Sequence, residues 1–153
     1  MEIKALLAKL NWFYSLELNQ VDLYLAQSKA FQGSYDSIVY ERVAWIEQHH
    51  VDNIADIIKE LGGKPTKLGG LLSPILGKTA GNLIARFGAE ATLKANILIE
   101  NKAMKDYVDL IDIIGDEYGE ELRRILQHNL VDEDVHTAWF QDRLADYGQA
   151  DAT

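Results

Sequence analysis

The sequence predicts an all-α fold: an antiparallel bundle of four long helices, with a long Gly- and Pro-containing connector between the second and third. Three observations predict it. Apolar residues recur at three- and four-residue spacing over long stretches, and no strand-like alternation competes with them. The only two prolines, Pro65 and Pro74, fall inside one Gly-rich patch, LGGKPTKLGGLLSPILGKTAG, at 61–81. The other punctuation, at Gly33 and Gly115, cuts each half of the chain into a pair of helices joined by a short turn. Long amphipathic helices bury their stripes most simply against one another.

The first predicted helix covers about residues 2–31, with Leu10, Tyr14, Glu17, Val21 and Tyr24 on one face. The second covers about 35–61, with Ser34 or Asp36 as its cap and Val43, Ile46, Glu47, His50, Ile54, Ile57 and Leu61 as its stripe. The third covers about 80–114, with Leu93, Ile97, Glu100, Met104, Tyr107 and Ile111. The fourth covers about 116–147, with Leu122, Ile125, Asn129, Glu133, His136, Phe140 and Leu144. The short turns make helices 1–2 and 3–4 antiparallel hairpins. No short internal repeat is visible, and residues 1–153 are expected to form a single domain.

Composition removes several classes of function. There is no cysteine, so disulfides, thiolate metal sites and cysteine nucleophiles are excluded. A formal net charge of −9 argues against nucleic acid as a partner, because phosphate binding needs a basic surface. The N-terminal segment has neither a long apolar run nor a small-residue cleavage site, so a signal peptide is not expected. The expected location is the cytoplasm or the inner face of the membrane.

Each of the four apolar stripes contains one glutamate: Glu17, Glu47, Glu100 and Glu133. Stripes two and four add a histidine three residues on, His50 and His136, in a chain with only four histidines. A buried carboxylate costs several kcal/mol, and converging carboxylates repel one another unless cations lie between them. Residues three apart on a helix project from nearly the same side, so both side chains of Glu-x-x-His can reach one ion. Mixed carboxylate and imidazole ligands suit iron, manganese or zinc rather than calcium or magnesium. One Glu from each of two helices plus Glu-x-x-His from each of two others is the ligand set of di-iron and di-manganese bundles. The expected metal ligands are therefore Glu17, Glu47, His50, Glu100, Glu133 and His136, with the four glutamates acting catalytically through the metal centre.

With these residues the chain resembles the ferritin-like di-iron carboxylate superfamily, and within it the demethoxyubiquinone hydroxylase family. Rubrerythrin and ferritin are more distant relatives in that resemblance. The ligand order Glu, Glu-x-x-His, Glu, Glu-x-x-His falls on the six positions above. Pro65-Thr66, the apolar hinge at 69–81, and Glu90 ten residues before Glu100 resemble the family's middle segment. One departure is Phe-Tyr-Ser-Leu at 13–16, where the family carries Asp-His-Ala-Gly. The resemblance covers about residues 10–145 and implies two iron ions, with manganese or a mixed pair as variants.

The function expected from this is O2-dependent redox chemistry, as a monooxygenase-like oxidoreductase on a hydrophobic or quinone-like substrate with an external reductant. The alternatives are a ferroxidase or peroxide-reducing protein like rubrerythrin or ferritin, and a non-catalytic metal-binding helical protein. Tyr14, one turn before Glu17, and Tyr107, two turns after Glu100, are candidates to hydrogen-bond near the centre, or else plain core tyrosines. His49 and His128 are expected at the surface. Asp132 and Asp134 flank Glu133, and either could orient an imidazole. Asp52, Asp106 and Asp109 receive no role. The apolar stretch 68–89 is too broken by Gly, Pro, Lys78 and Arg86 to span a membrane, and is read either as a peripheral membrane contact or as a loop closing the bundle. A homodimer through outer helix faces is also compatible with the pattern.

Overall fold

A computed structural model describes residues 2–68, 78–115 and 117–150, with side chains for all of these but 78, 79 and 148–150. Its described residues form five helices and no strand: α1 (Ile3–Ala30), α2 (Tyr35–Glu60), α3 (Lys78–Ala85), α4 (Ala89–Ile114) and α5 (Glu120–Ala150). The all-α fold expected from the periodicity is the fold observed. Among the described residues no helix is long and apolar enough to cross a membrane. The chain divides into two units, Met1–Ala85 and Arg86–Thr153.

In the first unit α1 and α2 form a hairpin. Leu6, Leu10, Phe13, Leu16, Leu23 and Tyr24 of α1 and Tyr40, Val43, Ile54 and Ile58 of α2 are buried, at the spacing a helix needs to keep one face inward. Of the two caps expected for α2, Ser34 is the one that serves: its side chain accepts a hydrogen bond from the Ser37 amide at 3.2 Å. Asp36 is instead buried in the first turn. Near this turn Tyr24 stacks on Tyr40 at 6.5 Å, and Phe31 meets Tyr40 at 5.9 Å.

After α2 the backbone returns to α1. The Thr66 amide donates to Asn11 Oδ1 at 2.6 Å, and the Leu68 amide donates to Ser15 Oγ at 2.8 Å. Ser15, fully buried two residues before Glu17, donates in turn to the Asn11 carbonyl at 2.8 Å. Residues 69–77, which include Pro74 and much of the predicted hinge, lie outside the described residues. The short helix α3 then packs on α1 through Ala80 and Gly81. A Cβ at Gly81 would lie 2.6 Å from the Leu23 carbonyl oxygen, a backbone atom that cannot step aside.

In the second unit α4 and α5 form the other hairpin, burying Leu93, Leu110, Ile114, Leu122, Leu126 and Phe140. Two boundaries differ from expectation. The helix predicted over 80–114 is two helices, broken at Gly88, whose φ of 92° and ψ of 174° belong to a region open essentially to glycine alone. The Gly88 carbonyl restarts the chain as α4 by accepting from the Thr92 amide at 3.1 Å and from Thr92 Oγ1 at 2.9 Å. The helix predicted from 116 begins at Glu120, after the positive-φ Gly119.

Candidate metal centre

Each unit gathers two glutamates and one histidine out of solvent. In the first unit α1 supplies Glu17, and α2 supplies Glu47 and His50 one turn apart. His50 Nδ1 lies 3.1 Å from Glu47 Oε2 and 3.7 Å from Glu17 Oε2. In the second unit α4 supplies Glu100, and α5 supplies Glu133 and His136. His136 Nδ1 lies 3.3 Å from Glu133 Oε2 and 3.9 Å from Glu100 Oε1. All four glutamates are 0% exposed, and the histidines are 1% and 3% exposed. Within each group the candidate ligand atoms lie within 4.8 Å of one another.

These separations suit a shared ion. Nitrogen and oxygen donors each about 2.1 Å from one metal stand roughly 3 to 4 Å from each other. The charges point the same way. Protonating the imidazole would offset one of the two carboxylates in a group and leave a buried negative charge behind, whereas a divalent cation offsets both. Each group is therefore a buried acidic and histidine cluster compatible with a metal site.

The two groups share a register. Counting along the first helix of each unit, Leu10, Glu17 and Tyr24 match Leu93, Glu100 and Tyr107, all buried and seven residues apart. Along the second helix, Glu47, His50 and Ile54 match Glu133, His136 and Phe140. The chain thus writes one arrangement twice, with a longer turn in the second copy, which is why no short repeat shows in the letters.

The remaining candidates separate cleanly. Tyr107 is buried, and its Oη accepts a hydrogen bond from Asn129 Nδ2 at 3.1 Å. Tyr14 is half-buried. His49 is exposed, with its ring 3.8 Å from that of Trp45 and Nδ1 2.8 Å from the Trp45 carbonyl. His128 is exposed as well. Asp132 is half-buried and Asp134 exposed. Asp52 accepts from Gln48 at the surface, and Asp106 pairs with Lys102. Asp109 pairs with Lys105 and, by hydrogen bond first and charge second, raises the pKa of that lysine. None of these aspartates joins the clusters.

Sequence reasoning passed over several buried polar side chains beside the glutamates. Gln20 lies one turn after Glu17 and Asn96 one turn before Glu100, both 0% exposed. The signal that could have found them is the same three- or four-residue offset from a ligand position.

In comparison with known families, the model of the ferritin-like domain matches residues 7–149. No curated protein matches the chain.

Proposed function

The chain belongs to the ferritin-like domain family, and on that premise we propose that it is a single domain whose buried Glu and His clusters are the ligands of a di-iron carboxylate protein. The observation that carries the proposal is the buried pair of Glu, Glu-x-x-His sets, Glu17 with Glu47 and His50, and Glu100 with Glu133 and His136. Together they make the ligand set of a di-iron bundle. Iron held by these residues would supply the electrons for reduction of O2. The four carboxylates would balance the charge of two such ions, the two imidazoles would complete their ligation, and the near-zero exposure of all six side chains keeps bulk water out. With no cysteine in the sequence, the chain cannot hold an iron–thiolate electron-transfer centre and draws on an external reductant.

The finer reading is a demethoxyubiquinone hydroxylase-like monooxygenase acting on a hydrophobic, quinone-like substrate. Its support is the order of the six ligands together with Pro65-Thr66 and Glu90. Between residues 61 and 89 there are four basic residues and no acidic one, although the whole chain carries −9. Leu83 and Phe87 are 55% and 74% exposed beside Arg86, which suits peripheral contact with an anionic membrane where such a substrate dissolves. The family match equally suits an iron-oxidising or peroxide-reducing protein.

The test is metal content of protein purified without chelator, with spectra before and after anaerobic reduction and re-exposure to air. About two irons per chain are expected, with near-ultraviolet absorption that bleaches on reduction and returns with O2. Absence of metal, or one redox-inert zinc, would remove the di-iron reading. A changed quinone pool in cells lacking the protein favours the hydroxylase, and changed iron or peroxide handling alone favours the alternative.

A further inference from the structure

α5 carries a second stripe, on the face turned away from Glu133 and His136. Arg124, His128, Val131, Val135, Ala138 and Asp142 follow one another at alternating four- and three-residue steps, the spacing of a coiled-coil seam. All six are exposed, Val131 and Val135 at 60% each. A helix that buries one face ordinarily turns charged and polar residues outward. Here the middle of the outward stripe is Val, Val and Ala, and the charges stand at its two ends.

The stripe is its own complement. Val131 and Val135, His128 and Ala138, and Arg124 and Asp142 lie two, five and nine residues to either side of Glu133. Two copies of α5 laid antiparallel about that point set Val131 against Val135 of the second copy and Arg124 against Asp142 of the second copy, each twice by symmetry. A parallel pairing would set Arg124 on Arg124 and Asp142 on Asp142, so the end charges select the antiparallel sense. The outward faces of α2 and α4 suit a second copy less well. On α4, Leu98 and Val108 are separated by Lys105, which is already paired with Asp109. On α2, folding the exposed stripe about Trp45 sets Ile38 against Asp52.

We propose that the outer face of α5 is a self-association surface, on which a second copy of this chain docks antiparallel. Val131, Val135 and Ala138 form its apolar centre, and Arg124–Asp142 ion pairs close both ends. Glu133 and His136 stay on the opposite side of α5, so the inference stands apart from the metal reading. The contact is a single helix pair, which makes a weak dimer that depends on concentration. Opposing it are Asp132 and Asp134, which flank the centre and approach their symmetry mates, and the formal charge of −9 on each copy. Salt at about 0.15 M screens both beyond about 8 Å.

Sedimentation equilibrium of the full-length chain at about 0.15 M salt, over a series of concentrations, tests it, with far-UV circular dichroism confirming helicity. The parent is expected to pass from monomer to dimer as concentration rises, and Val131→Glu/Val135→Glu to stay a monomer throughout. Arg124→Asp and Asp142→Arg each turn two attractions into repulsions and should raise the dissociation constant by about tenfold. The two together should bring it back toward the parent. The absence of cysteine allows a check of direction. His128→Cys with Ala138→Cys in one chain should form disulfides between copies on oxidation. His128→Cys alone should not, because its two copies then stand about 15 Å apart. A monomer at every concentration would overturn the proposal and leave the stripe to a different partner. So would a dimer that survives both Val substitutions, or one that His128→Cys alone crosslinks, since the contact would then lie elsewhere or run parallel.

Discussion

The α1–α2 hairpin and the α4–α5 hairpin carry the same metal-ligating residue types in the same register, yet they fill the space around them differently. Besides Glu17, Glu47 and His50, the first buries Ser15, Gln20, Gln27 and a Tyr24–Tyr40 stack. The second buries Thr92, Asn96 and the Asn129–Tyr107 pair. Metal ligation sets strict demands on donor type and spacing, whereas a core accepts any side chains that fill the volume and pair their polar atoms. The two hairpins therefore agree where chemistry constrains them and diverge where packing alone does.

The largest effects should fall on what the hairpins share. Glu47→Ala and Glu133→Ala should each strip most of the bound metal, read as metal per chain after purification. Full occupancy in one variant and loss in the other would break the equivalence of the two halves. A core change should be specific to its hairpin: Tyr40→Ala removes a fully buried ring stacked on Tyr24 and should cost about 3 to 5 kcal/mol in urea unfolding.

The ligands should behave in the opposite sense when metal is absent. Glu47→Gln or Glu133→Gln removes a buried charge next to a second carboxylate. Each should stabilise the metal-free protein by about 1 to 4 kcal/mol, seen as a higher apo melting temperature, while lowering metal uptake. An unchanged or lower apo melting temperature would show that the carboxylates are not in mutual repulsion. The smallest effects belong to helix starts, where the hairpins again differ. α2 begins at Ser34 with a side-chain cap, and α4 begins at Gly88 with none. Ser34→Ala should cost about 1 kcal/mol, and Gly88→Ala about 1 to 3 kcal/mol for its backbone conformation, both measured by thermal unfolding.

What the letters revealed follows the same division. Glu17, Glu47, His50, Glu100, Glu133 and His136 stood out because charged residues on apolar stripes are conspicuous and helical spacing is rigid. The all-α fold was legible for the same reason. The break before Ala89 was not, since a glycine in an apolar run can sit inside a helix, and only the positive φ of Gly88 keeps it out of one here. Gln20 and Asn96 were hidden because an amide is as common on a wet face as on a buried one. Which it occupies depends on contacts that no local pattern contains.

The return of residues 66–68 to α1 has a consequence for protein handling. Lys67 is exposed and would invite trypsin at the Lys67–Leu68 peptide bond. The amides at Thr66 and Leu68, however, are held by Asn11 and Ser15. A protease needs several residues of extended backbone in its cleft, so cleavage there must wait until both bonds open. Resistance at this lysine reports on the middle of α1, beside Glu17: digestion that becomes fast signals that Ser15, in the turn before the glutamate, has let go of this segment.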